Sequence, residues 1–282
     1  MNIFLLLTIA MLMIILMLRR HIPIGPCMLT SGIFIWLMKA PELPYLVQAL
    51  RETLTMPRTY DILFALYFVM CLEIELRTSG ALAGMVQALQ RIFSSAKVTL
   101  AVMPAFLGLL PSLGGARFSA PIVEEASKNL PIEQEHKAAI NFWFRHIFEF
   151  SSPIIPGMIM ACNIAGVSYG EFILHLAWLT VLAFSAGWFV LIRPIKAANS
   201  RTETIANDSQ GTQDLWLALS PVIITFILVV FCGLNASAGM GLVTACLFLV
   251  LRFTNREVGL KDVVIGALDI KMFLNVLCIL YF

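Results

Sequence analysis

The chain has 282 residues, of which 60% are hydrophobic and only 13% are charged, and its net charge is +2. Soluble domains carry about 25% charged residues, so this chain has too little polar surface to cover a body standing in water, and a soluble globular fold is set aside. No Lys/Arg run is long enough to track phosphates, which removes nucleic acid from the partners. The composition predicts an all-α, polytopic membrane protein whose first partner is the lipid bilayer. Six cysteines, at 27, 71, 162, 232, 246 and 278, all lie in apolar runs without a CxxC pair. They read as small hydrophobes rather than as a disulfide framework or a zinc site.

Residues 3–18 (IFLLLTIAMLMIILML) are followed by Arg19 and Arg20. They lack the basic leader and small-residue cleavage site of a signal peptide, so they predict a first spanning helix ending at the cytoplasmic face. Further apolar runs lie at 22–38, 60–76, 147–167, 171–192, 215–234 and 237–251, and another starts near 263. With about 20 apolar residues per crossing, the expectation is about seven or eight spans. Residues 41–58 read as an interfacial connection. The polar stretch 193–214 reads as a cytoplasmic loop between a first transmembrane half (1–192) and the start of a second (215–282).

Residues 98–122 are apolar but broken by Pro104, Pro111, Gly114, Gly115 and Pro121. If they enter and leave on one side, fourteen of the 19 Lys and Arg residues are cytoplasmic, and only Lys39, Arg51 and Arg58 lie outside. A full crossing would move nine of those fourteen outside, so the positive-inside bias predicts a re-entrant hairpin. Two arms of about 12 residues each rise about 18 Å, a little past mid-bilayer. Non-helical backbone survives at that depth only where protein or a water-filled cavity satisfies it. The tip, Leu110-Pro111-Ser112-Leu113-Gly114-Gly115, offers free amides and a hydroxyl, the parts of an ion or anion cradle.

The second special segment runs from Asn141 to Gly157. Arg145, His146 and Glu149 fall at helical spacing, and Arg145 and Glu149 are expected to pair across one turn. Ionisable groups within the membrane are costly and tend to line a pathway. Ser151-Ser152-Pro153 and Pro156-Gly157 should then break the helix, because each proline removes a donor. A broken helix facing a hairpin tip is the arrangement of transporter midplane sites. Weaker candidates are Glu73, Glu75 and Arg77, read as interfacial; Glu171 with His175, read as helix-contact hydrogen bonding; and Asp61, read as a helix cap. No Ser-His-Asp set, HExxH or P-loop appears, so neither an enzyme nor a cofactor is expected.

Asp61-Ile62 and Asp269-Ile270 each open an apolar run, and the charge count gives these runs opposite directions, the signature of an inverted-topology repeat. The last residues, Leu280-Tyr281-Phe282, lie inside an apolar run, which is the expectation for a truncated product with an incomplete second half.

The blocks LLPSLGGARFSAPIVEEA (109–126) and NFWFRHIFEF with the following Pro-x-x-Pro-Gly (141–157) carry a resemblance. The chain resembles the archaeal and bacterial integral-membrane proteins catalogued as domain of unknown function 401, within the ion-transporter superfamily. That resemblance implies a multi-pass secondary carrier of the cell membrane with re-entrant hairpins and discontinuous helices. It places the hairpin tip at Ser112, Gly114 and Gly115 and the broken helix near Ser151–Gly157. The dicarboxylate branch has a Ser-Asn-Thr tip where this chain has Ser-Leu-Gly-Gly, which argues against sodium-coupled dicarboxylate transport. The expected activity is transport of a small anion or organic acid coupled to H⁺ or Na⁺. Ser112, Gly114, Gly115, Ser119, Arg117, Arg145, Ser151, Ser152, Pro153, Pro156 and Gly157 would form the substrate site, and His146 or Glu149 would take the coupling proton. The alternative is a non-transporting membrane scaffold or a degenerate fragment. Homo-oligomerisation is left open.

Overall fold

The computed structural model describes residues 3–39, 41–93, 95–109, 115–128, 130–152, 155–196 and 209–281. Every regular element among them is helical. The chain divides into two compact units, residues 1–63 with 268–282, and residues 64–267.

The smaller unit holds α1 (Ile3–Arg19), α2 (Ile24–Lys39), α3 (Leu43–Thr55), the first turns of α4 (Pro57–Thr78) and α14 (Ile270–Tyr281). Helix α2 packs against α1 and α14. The Gly25 amide donates to Asn275 Oδ1 at 3.1 Å, and the Tyr281 hydroxyl donates to the Leu46 carbonyl at 3.0 Å. Asp269 caps α14, accepting from the Met272 amide at 3.1 Å. Asp61 is not the N-cap of α4, which already starts at Pro57, whose fixed φ suits a first helical turn. Helix α3 exposes Leu43, Tyr45, Val47, Leu50 and Leu54.

The larger unit contains the rest of α4, then α5 (Ala81–Ile92), α6 (Ala96–Leu109), α7 (Gly115–Ala126) and α8 (Gln134–Arg145). A 3₁₀ turn (Ile147–Phe150) and α9 (Pro156–Ala165) follow. Next come α10 (Tyr169–Gly187), continued as a π-helical segment (Trp188–Ile192), and α11 (Ser209–Phe226), continued likewise (Ile227–Phe231). Helices α12 (Ala236–Phe253) and α13 (Leu260–Gly266) complete it. Leu100, Ala101 and Ala105 of α6, Val123 of α7, Ile140 and Phe144 of α8, and Ile147 and Ile192 form one buried core. Met158, Cys162 and Ile173 form another, joining α9 to α10.

Among the described residues, four helical stretches are long and apolar enough to cross a membrane: Tyr169–Ile192, Gln213–Phe231, Ala236–Phe253 and Leu260–Tyr281, the last interrupted at 267–269. Their outer faces are apolar. On α10 and its π-helical extension, Leu174, Val181 and Val190 are each at least two-thirds exposed (67%, 68% and 68%), and such side chains need lipid around them. The expected span at 147–167 is not one helix, since Ser151, Ser152 and Ile155 lie outside any helix. The expected loop at 193–214 is also shorter than its polarity suggests: α11 begins at Ser209 and Asp214 is buried within it.

Candidate functional site

Helices α6 and α7 flank the tip of the expected hairpin, pack on each other, and both pack on α8. At about 21 and 18 Å by their residue counts, neither arm reaches across a hydrocarbon core of about 30 Å. Gly108 sits so close to α8 that an added methyl group would overlap the Arg145 carbonyl oxygen. Only glycine permits that approach.

Helix α8 stops at Arg145 for local reasons. His146 takes φ −101° and ψ 5°, and Ser151 takes φ −140° and ψ −4°, both outside helical geometry. Prolines 153 and 156 have no N–H to continue the ladder. Helix α9 restarts with Pro156 in its first turn. The break expected from Ser-Ser-Pro-x-x-Pro-Gly is therefore present.

Around it, polar atoms are buried without protein partners. These are Asn141 Oδ1, Arg145 Nη1 and Ser152 Oγ. Asn141 and Ser152 are 8% and 2% exposed. Asn141 and Arg145 stand one turn apart on the same face of α8. Buried polar groups are nearly always satisfied, and unmet ones call for an explanation. Ser151 shares a 2.7 Å hydrogen bond with Thr180 of α10. The break is held from outside as well: Trp143 Nε1 donates to the Ala183 carbonyl at 2.8 Å, and His136 Nε2 to the Leu191 carbonyl at 2.7 Å. Lys137 of α8 donates to Glu124 near the end of α7 at 2.8 Å, and this bond holds the Glu124 carboxyl below the usual carboxylate range.

The expected site residues fall as follows. Ser112, Gly114 and Pro153 lie outside the described residues. Gly115 opens α7, while the side chains of Arg117 and Pro156 are likewise outside the described set. Ser119 is fully buried on α7, Gly157 is exposed at the start of α9, and Ser152 and Arg145 turn inward. His146 and Glu149 are half-exposed, with side chains 39% and 51% accessible and Nε2 3.8 Å from Oε1. His146 Nδ1 donates to the Phe142 carbonyl at 2.6 Å.

Arg145 is not placed as its spacing suggested. The helix ends at Arg145, so position 149 no longer sits one α-turn above it, and Glu149 faces His146 instead. Glu73 of α4 lies within electrostatic reach of Arg145. Glu75, expected at the interface, is 1% exposed, whereas Arg77 faces out. Glu171 binds the Ser168 cap of α10, and His175 Nδ1 donates to its backbone carbonyl at 2.7 Å, so these two serve the helix itself.

The sequence reading also missed an ion pair between Asp214 and Arg256, whose side chains are only 12% and 18% exposed. Arg256 Nη1 also donates to the Ser79 carbonyl at 3.0 Å. Asp214 lies over Gly84, where any side chain would overlap its carboxylate. The only available signal was an acidic residue at the start of a long apolar run.

Lipid-facing helical stretches around an interior with unmet polar groups define a helical membrane protein. The chain belongs to the family described as protein of unknown function (DUF401), whose model matches residues 2–281. No curated protein and no solved structure matches it.

Proposed function

We propose that this chain is a multi-pass secondary transporter of the cytoplasmic membrane that carries a small anion or organic acid with H⁺ or Na⁺. In this reading it belongs with the ion-transporter superfamily, has about seven or eight spans, and relates its two halves by inverted topology. The α6–α7 hairpin enters and leaves on the cytoplasmic side. The solute sits between the hairpin tip and the break after α8, with Ser112, Gly114 and Gly115 on one side and Ser151 and Ser152 on the other.

The observation that carries the reading is Arg145, a guanidinium with a buried, unpartnered Nη1 at the end of a broken helix, pressed against a hairpin arm. A guanidinium is always charged and presents a planar fork of donors suited to a carboxylate or an oxyanion. The test is a thermal-shift screen of the purified chain against inorganic oxyanions and short carboxylates. One of them should raise the melting temperature, since a ligand at about 100 times its Kd stabilises by about 2.7 kcal/mol. Arg145→Gln should abolish that shift. An equal shift in Arg145→Gln would remove Arg145 from the site.

A further inference from the structure

We infer that Glu75 is the carboxyl that takes up and releases the coupling proton, with Tyr67 and Cys71 as the polar path along α4. This rests on the carrier reading above and names its coupling site.

Glu75 is 1% exposed, and its Oε2 has no protein hydrogen-bond partner. Its neighbours Cys71, Leu72, Ile74 and Leu76 are buried with it. Residues 67, 71 and 75 recur every fourth position and so stack on one face of α4. Cys71 stands one turn from Tyr67 and one turn from Glu75 on α4. The Tyr67 hydroxyl donates to the Val264 carbonyl of α13 at 3.2 Å, which fixes the far end of the stripe.

Among the described residues, no cation on a neighbouring element pairs with Glu75. Arg145 of α8 lies within electrostatic reach of Glu73, and Arg256 holds Asp214 and the Ser79 carbonyl. Arg252 of α12, and Lys261 and Asp262 of α13, are exposed. A carboxylate sealed among apolar side chains without a cation is costly, and the neutral acid is not. A hard metal cation needs a shell of several oxygen ligands, whereas a proton needs one. The site is therefore built for H⁺ rather than Na⁺. The step is proton transfer alone: the acid O–H bond breaks, the carboxylate keeps the electron pair, and water receives the proton. His146 and Glu149 suit the role less well, because half-exposed groups exchange protons with solvent in any state of the carrier.

The test is labelling of the purified full chain with N,N′-dicyclohexylcarbodiimide, which adds to protonated carboxyls in apolar surroundings, with sites mapped by mass spectrometry. At neutral pH the peptide carrying Glu75 should be labelled and the one carrying Glu149 should not. Glu75→Gln should lose the label, Glu75→Asp should keep it, and Glu149→Gln should leave it unchanged. An unlabelled Glu75 in the wild-type chain overturns the inference, even if Glu75→Gln fails to fold. In proteoliposomes loaded with a pH-sensitive dye, Glu75→Gln should lose proton movement. Label on Glu75 without any solute uptake would defeat the carrier reading alone and leave the proton site standing.

Discussion

Replacing Arg256 by Ala should lower unfolding free energy by about 3–5 kcal/mol, because it leaves the Asp214 carboxylate buried and unpaired. The guanidinium does two things at once. It pairs with Asp214 of α11 and closes the end of α4 through the Ser79 carbonyl at 3.0 Å. Both side chains are less than one-fifth exposed, so solvent screening does little to weaken the pair. Lysine should not rescue it, since a single ammonium cannot reach both partners in the planar fork that arginine presents. The double variant Asp214→Asn/Arg256→Ala should lose less than the sum of the two single losses, because each single variant leaves one charge unpaired and the double variant leaves none. Thermal unfolding of the four purified proteins in detergent reads this cycle. Additive losses would mean that the pair contributes nothing of its own.

Gly108→Val should be the most damaging single substitution in the hairpin. The new side chain would drive α6 away from α8 at the point where Arg145 is held. Overpacking of this kind costs about 1–3 kcal/mol even when side chains can yield, and here the obstacle is backbone. The loss of anion binding should exceed the loss of stability, because Arg145 would move with α8. Gly157→Ala is the control: nothing lies within 4 Å of a methyl group placed there. It should be close to neutral in both thermal-shift readouts.

The features legible in the sequence are those with local causes. Prolines 153 and 156 end a helical ladder whatever surrounds them, and the structure places the break between α8 and α9. The same holds for the two short arms around 110–114. The unread features are contacts between distant segments. Helix α4 buries residues from Ala65 to Leu76 on nearly all sides, so its apolar pattern carries no face on which Glu75 could be placed inside. The pairing of Arg256 with Asp214 likewise depends on which helices become neighbours. The expected Arg145–Glu149 pair failed because it assumed continuous α-geometry through the very segment the prolines interrupt.

The proposed site depends on the chain turning back at 110–114 and leaving on the side from which it came. The direct measurement starts from a cysteine-free chain, with Cys27, Cys71, Cys162, Cys232, Cys246 and Cys278 replaced. Ser95→Cys and Lys128→Cys are introduced one at a time, both at exposed positions beyond the hairpin arms. A membrane-impermeant maleimide applied to intact cells and to inverted vesicles should label both only in the inverted vesicles. Labelling of one from each side would mean that 96–126 crosses the membrane, which would reverse every later span and separate the hairpin tip from the break.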